Sequence, residues 1–74
     1  MSEKIDDEKL EKIIIEFIKN RTIEQESTTS RHIHRRFDIN IEKANQILVN
    51  LVRKNIIEEF YDEEYQENRY ALVK

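Results

Sequence analysis

The spacing of apolar residues changes near Asn55, and this change constrains the fold more than any other feature of the sequence. Before Asn55, apolar residues recur every three or four positions, which is the spacing of amphipathic helices. After it, residues 56–61 and 69–73 are rich in β-branched and aromatic side chains, and the polar stretch 62–68 separates them. The sequence therefore predicts an α+β fold, three helices followed by a two-stranded β-hairpin, in a single domain over residues 1–74.

The first predicted helix has Asp6 as its N-cap and ends near Asn20. Ile15 lies off its apolar stripe, so this side chain is either an exposed apolar residue or part of a contact with a partner. Thr22 and Ile23 are candidates for a very short strand. The stripe itself consists of Leu10, Ile13, Ile14, Phe17 and Ile18.

Two further helices are predicted in the middle of the chain. The hydroxyl residues of 27–30 offer N-caps for the second helix, whose core side is Ile33 and Phe37. Asn40 caps the third helix, and Asn55 is suited to a left-handed position after its end. The apolar face of this third helix consists of Ile41, Ala44, Ile47, Leu48, Leu51 and Val52.

The sequence does not decide which face of the hairpin is buried. Tyr70 and Leu72 alternate with Ala71 and Val73, and both pairs are apolar. A helical domain without any hairpin is the alternative fold, and the strand-like composition of residues 56–73 argues against it.

Positive charge is concentrated in the middle of an acidic chain. The net charge is −3, yet residues 28–54 carry six Lys and Arg against two acidic residues, a net charge of +4. Residues 1–27 and 55–74 have net charges of −3 and −4. Because Lys and Arg supply most of the non-specific affinity of proteins for DNA, the basic centre indicates a surface for a nucleic acid.

No combination of residues in the sequence is typical of an enzyme. There is no Gly-rich phosphate loop and no nucleophile with a base, so we expect neither catalysis nor a cofactor. His32 and His34 lie about 200° apart around a helix, which prevents both from binding one metal ion. We expect no metal, and interpret the two histidines as extra positive charge near phosphate at mildly acidic pH.

Compartment and source can also be inferred from composition. The chain has no Cys, no apolar run of the roughly 18 residues that a membrane span needs, and no signal-peptide pattern at its start. We therefore expect a soluble, cytoplasmic protein without membrane contact. The charged fraction of 39% and the lack of Gly and Pro resemble hyperthermophile proteins, although an AT-rich genome produces part of the same bias.

The segment TTSRHIHRRFDINIEKANQILVNLVRKNII, followed by EEFY and RYALV, carries a family resemblance. It resembles the second helix, turn, recognition helix and wing of winged helix-turn-helix DNA-binding regulators, and the likeness covers nearly the whole chain. The Gly residues common in the turn and after the recognition helix are replaced by Asp38 and Asn55, two residue types that tolerate positive φ. Small size and composition make the chain similar to regulators of archaeal viruses and plasmids.

This resemblance implies a sequence-specific, double-stranded DNA-binding transcription regulator, acting as a repressor by occlusion. Its third helix would read the major groove. Asn45 and Gln46 suit adenine, Lys43 suits guanine, and Glu42 can accept from cytosine N4. The alternative interpretation of this helix face is a solvated polar surface. The complete set of predicted base-reading residues is Asn40, Glu42, Lys43, Asn45, Gln46 and Val49.

Phosphate contacts are expected around the start of the second helix and the end of the third. Capping and solubility are the alternative interpretation, although they do not explain three arginines within six residues. The predicted phosphate-binding residues are Thr28, Thr29, Ser30, Arg31, Arg35, Arg36, Asn50 and Arg53.

The predicted wing is acidic, with Asp62, Glu63, Glu64 and Glu67 placed to repel phosphates. Either other wing residues contact DNA while these acids point to solvent, or the wing stands off the DNA and meets another protein, which we favour. The residues that would touch DNA are Tyr65, Gln66, Asn68 and Arg69.

Two kinds of protein partner are expected besides DNA. A homodimer through helix 1, with Ile15 at the contact, would strengthen the binding of a weak monomer. The alternative function is a winged-helix protein-protein interaction module in or against the transcription machinery, with its partner at the acidic wing.

Overall fold

In a computed structural model of the chain, the described residues 7–73 form three α-helices followed by an antiparallel β-hairpin. The predicted α+β layout is confirmed, whereas the cap predicted at Asp6 lies outside the described residues. The elements are α1 (Asp7–Ile23), α2 (Ser30–Phe37), α3 (Ile41–Arg53), β1 (Ile57–Asp62) and β2 (Glu67–Leu72).

The core lies where the inner faces of the helices meet the start of β1 and the middle of β2. In the hairpin, Ile57 pairs with Leu72 and Glu59 with Tyr70. Tyr70 is buried while Ala71 is half-buried, so the side chain of Tyr70 faces the core. The buried apolar residues are Leu10, Ile14, Ile18, Ile33, Ala44, Ile47, Leu48, Leu51, Ile57 and Tyr70.

Helix α1 continues one turn beyond the predicted end at Asn20, and the short strand predicted at Thr22 and Ile23 is wrong. The Thr22 hydroxyl donates to the Ile18 carbonyl (2.8 Å) inside the helix, and accepts from the Leu72 amide (3.1 Å). The segment before α2 pairs with β2 at a later residue, Thr28. Thr28 exchanges two backbone hydrogen bonds with Tyr70, of 2.9 and 2.8 Å, beside β2.

The apolar stripe of α1 is displaced from the predicted one. Ile15 is half-buried against the core, whereas Ile13 is 44% exposed. Both lie about 100° from Ile14, on opposite sides of it, so periodicity alone does not decide which one is covered. Tertiary packing decides it, because Ile15 packs against the buried core cluster. Ile15, predicted to be either an exposed residue or part of a partner contact, instead packs partly against the core of the domain.

The predicted turns and caps between the helices are confirmed. Asp38 ends α2 with φ 54°, and Asn55 follows α3 with φ 60°, both in the left-handed region that Asp and Asn tolerate. Thr29 is the N-cap of α2, and Asn40 Oδ1 caps α3 by accepting from the Glu42 amide (2.7 Å). Only residues 38–40 separate the two helices, so α2 and α3 pack as neighbours.

The adjacent Ile13 and Ile14 test the placement of α1. Ile14→Val removes a methylene group from a fully buried side chain, which should lower the free energy of unfolding by about 1 kcal/mol. Ile13→Val is the matched control and should change it by less than about 0.5 kcal/mol, because Ile13 is largely exposed. Urea unfolding measures both variants. Equal losses, or a larger loss for Ile13→Val, would contradict the burial described here.

Candidate nucleic-acid interface

The outward face of α3 is exposed and mainly polar. Its amphipathic sequence buries one side of the helix and leaves the other in solvent. Val49, 46% exposed, is the apolar residue in the middle of this face. A shallow depression on it is lined by Asn45, Gln46, Val49, Asn50 and Arg53, all predicted to contact DNA.

Helix α2, which packs against α3, carries three arginines, of which Arg31 shares a groove with Asn45 of α3. Arg31, Arg35 and Arg36 are exposed, and the Arg36 guanidinium lies 5.3 Å from the centre of the Phe37 ring. Among the residues the structure describes, Arg35 and Arg53 form no ion pair. We name as the α2–α3 surface the exposed residues Arg31, Arg35, Arg36, Glu42, Asn45, Gln46, Val49, Asn50 and Arg53.

A polar groove connects the α2–α3 surface to the hairpin. Asn45 of α3 lies on one side of it, and Asn68 of β2 lies on the other. The groove therefore brings together residues from all three predicted contact groups. Its lining is Thr29, Ser30, Arg31, Asn45, Glu67, Asn68 and Tyr70.

Two predicted phosphate-binding residues, Thr28 and Thr29, are buried. The Thr28 hydroxyl accepts from Arg21 Nε (3.2 Å), and the Thr29 hydroxyl accepts from the His32 amide (3.3 Å) as a helix cap. Neither side chain reaches a phosphate at the surface. The capping interpretation thus accounts for Thr29, while Ser30 stays half-buried at the groove.

Two predicted base-reading residues also have internal roles. Lys43 is half-buried and its Nζ lies 2.9 Å from Asp7 Oδ1, so this cation points to the start of α1. Asn40 is exposed, but its side-chain oxygen caps α3. The other four predicted base-reading residues, Glu42, Asn45, Gln46 and Val49, are exposed on α3.

Arg69, predicted to contact DNA from the hairpin, is held within it. Its side chain is 17% exposed, and it donates to Ser27 Oγ and to Glu67 Oε2, both at 2.8 Å. Its Nε is 3.3 Å from Asp62 Oδ2 without forming a hydrogen bond, and its guanidinium lies 5.0 Å from the centre of the Tyr65 ring. Gln66, at φ 53°, belongs to the turn, and Asn68 is exposed on β2.

Glu67 has a role that the sequence did not reveal. Its Oε1 lies 2.6 Å from Arg31 Nη2, so one carboxylate binds both Arg31 and Arg69. Residues 31 and 67 are 36 positions apart, so no local pattern indicates that they meet. The ion pair partly neutralises Arg31 at the edge of the α2–α3 surface.

The histidines of α2 have structural partners. Thr29 N–H donates to His32 Nδ1 (3.0 Å), and His34 Nδ1 is hydrogen-bonded to the Ile39 carbonyl. Burial lowers the pKa of His32 from 6.5, and the nearby Arg21 lowers it further. His32 therefore loses its charge at a lower pH than an ordinary histidine, and it contributes less positive charge in mild acid than the sequence predicts. No group of three or more potential metal ligands occurs within residues 7–73.

Tyr70 of β2 lines the groove and is hydrogen-bonded to the other strand of the hairpin. Its hydroxyl donates to Glu59 Oε2 (3.1 Å) across the two strands. Burial, together with this hydrogen bond and the charge of Glu59, raises the pKa of Tyr70 to about 12. The tyrosine thus stays a neutral donor and fixes Glu59 on β1.

No protein-family model, curated protein or solved structure matches this chain. None of the helices within the described residues is both long and apolar enough to span a membrane.

The lowered pKa of His32 predicts a loss of stability in acid. Between about pH 7.5 and 5.5 the unfolded chain takes up a proton at this histidine before the folded chain does, so the free energy of unfolding falls as pH passes below 6.5. His32→Gln keeps an acceptor at the same capping-box position without titrating in this range.

Urea unfolding at both pH values should therefore show a smaller decrease for His32→Gln than for the natural sequence. Equal decreases in the two proteins would show that His32 does not contribute to the pH dependence.

Proposed function

We propose that this chain is a winged helix-turn-helix protein that binds double-stranded DNA and represses transcription by occluding its site. In this proposal, α3 enters the major groove, the arginines of α2 contact phosphates, and the β1–β2 hairpin is the wing. The protein acts in the cytoplasm without a cofactor and without catalysing a reaction.

The main support for the proposal is the exposed polar face of α3, on a helix that packs against the arginine-bearing α2. Thirteen residues at about 1.5 Å each give α3 a length of about 20 Å, and a helix about 10–12 Å wide fits the major groove. The neighbouring α2 leaves this face uncovered. The same chain thus presents hydrogen-bonding groups for bases and positive charge for phosphates.

Each part of the α2–α3 surface has a chemical role in this proposal. Asn45 and Gln46 present amides that can pair with adenine, and Val49 can contact a thymine methyl group. Arg35 and Arg53, which form no ion pair in the described part of the chain, bind phosphates.

Arg31 binds DNA only in competition with Glu67. The two side chains form a 2.6 Å ion pair at the surface, where Arg31 is 65% exposed. A phosphate is an alternative anionic partner for the same guanidinium, so on binding DNA Arg31 would exchange its ion pair with Glu67 for one with phosphate. Glu67 therefore reduces the contribution of Arg31 to DNA affinity.

We also propose that the chain dimerises through α1, with Ile13 and Ile23 at the contact in place of Ile15. Ile13 and Ile23 are 44% and 69% exposed on α1, whereas Ile15 packs against the core. A second copy of the chain would place two α3 helices about one helical turn of DNA apart.

Salt and single substitutions test DNA binding. For the natural sequence we expect the logarithm of affinity for its own promoter to fall against log salt with a slope of about −3 to −5 between roughly 50 and 200 mM. Arg35→Ala should weaken binding to every sequence and reduce the slope by about 1, whereas Gln46→Ala should relax base preference by about 1–3 kcal/mol.

Lys19→Ala is the matched control, since it removes an exposed cation of α1 outside the α2–α3 surface. Fluorescence anisotropy on promoter and random duplexes measures all four proteins. Absence of binding at low salt, or equal losses for Lys19→Ala and Arg35→Ala, would reject the proposal.

Neutralising Glu67 should strengthen DNA binding. Glu67→Gln frees Arg31, and we expect an affinity increase of about 3- to 10-fold at low salt. Glu64→Gln removes the same charge from the exposed turn and controls for the lower overall repulsion. In an Arg31→Ala background the gain from Glu67→Gln should shrink to that of the control. An undiminished gain in that background would show that Glu67 does not act through Arg31.

A further inference from the structure

Strand β1 has an open edge. In the described residues β2 lies between β1 and the Thr28 bridge, and no strand pairs with the other side of β1. The Val73 amide donates to the Ile56 carbonyl (3.0 Å), which sets the alternation of the ladder. The backbone groups of Phe60 then point to β2, while those of Glu59 and Tyr61 point outward.

The side chains along this edge combine aromatic surface with negative charge. Phe60 and Tyr61 are 43% and 59% exposed, on opposite faces of the strand. Phe60 also lines a shallow groove with Ala71 of β2 and residues 22 and 25–27. Glu58 and Glu59 precede the two aromatic residues and are both exposed.

Pairing of this edge with the β1 strand of a second copy of the chain is unfavourable. If two β1 strands pair antiparallel with Phe60 opposite Phe60, then Glu58 faces Asp62 twice. Shifting the register in one direction places Glu59 opposite Glu59, and shifting it in the other places Glu59 opposite Glu63. Like charges directly opposite each other destabilise a pair of strands, so every central register is penalised.

We propose that the β1 edge binds an extended basic segment of another protein, which adds to the hairpin as a third strand. The backbone groups of Glu59 and Tyr61 supply the ladder hydrogen bonds. Lys or Arg of the segment lie opposite Glu58, Glu59 and Asp62, and apolar residues lie opposite Phe60 and Tyr61. Read antiparallel, the fitting segment is Lys-Val-Val-Lys-Lys.

This edge is separate from the α2–α3 surface, so its function goes beyond DNA binding. The hairpin as a whole is acidic and repels phosphate, whereas its acidic residues on β1 attract a basic segment. The hairpin would thereby recruit a protein while α3 holds DNA.

The probe is the peptide acetyl-Thr-Lys-Val-Val-Lys-Lys-Thr-amide, added to the full-length protein. Its matched control carries N-methyl groups on the two amides that face Glu59 and Tyr61, which keeps the charge, removes two donors and places methyl groups where the strands must approach. With the probe, hydrogen exchange of the Glu59 and Tyr61 amides should slow by at least about tenfold, and with the control by less than about twofold.

Equal effects of the two peptides would overturn the proposal, because charge alone would then explain binding. Protection confined to α2 and α3 would overturn it as well. Self-association of the protein without peptide, with the same two amides protected, would show that a second copy is the occupant.

Charge reversal gives an independent test. Glu58→Lys should weaken binding of the peptide by about 3- to 10-fold, because a like charge then faces the last lysine of the peptide. Glu64→Lys makes the same change of charge in the turn, away from the strand, and should have a smaller effect. DNA affinity should not fall in either variant, which separates this proposal from DNA binding. Equal peptide losses for the two variants would reject a contact at the edge.

Discussion

Two backbone hydrogen bonds between Thr28 and Tyr70 hold the hairpin against the helices. Thr28 is fully buried, its hydroxyl accepts from Arg21 at the end of α1, and the next residue, Thr29, is the N-cap of α2. One short segment therefore fixes the end of α1, the start of α2 and the position of β2. Because Asn45 and Arg31 meet β2 across a single groove, the arrangement of the candidate interface depends on this contact.

Local patterns predicted the parts of the fold that local forces determine. The apolar face of α3 and the left-handed Asp38 and Asn55 follow from helix periodicity and from the short polar side chains that tolerate positive φ. The exposed face of α3 was predictable for the same reason. The exchange of Ile13 and Ile15 was not, because the two are symmetric about Ile14 and only tertiary packing distinguishes them.

The charges of the candidate interface depend on contacts between distant parts of the chain. Arg31 with Glu67 and Lys43 with Asp7 are each 36 positions apart, beyond the reach of any periodic pattern. These pairs divide the basic centre into cations that are held, such as Lys43, and cations that are free among the described residues, such as Arg35 and Arg53. The net charge of +4 on residues 28–54 therefore overstates the positive charge available to phosphate.

Mapping a DNA duplex onto the protein by amide chemical shifts tests most directly whether the α2–α3 surface binds DNA. The ¹⁵N-labelled protein would be titrated with its own promoter duplex at low salt. We predict that the largest shifts lie on Asn45, Gln46 and Val49 and at the start of α2, with little change along β1. Largest shifts along the β1 edge, or no shifts at all, would show that the α2–α3 surface is not where DNA binds.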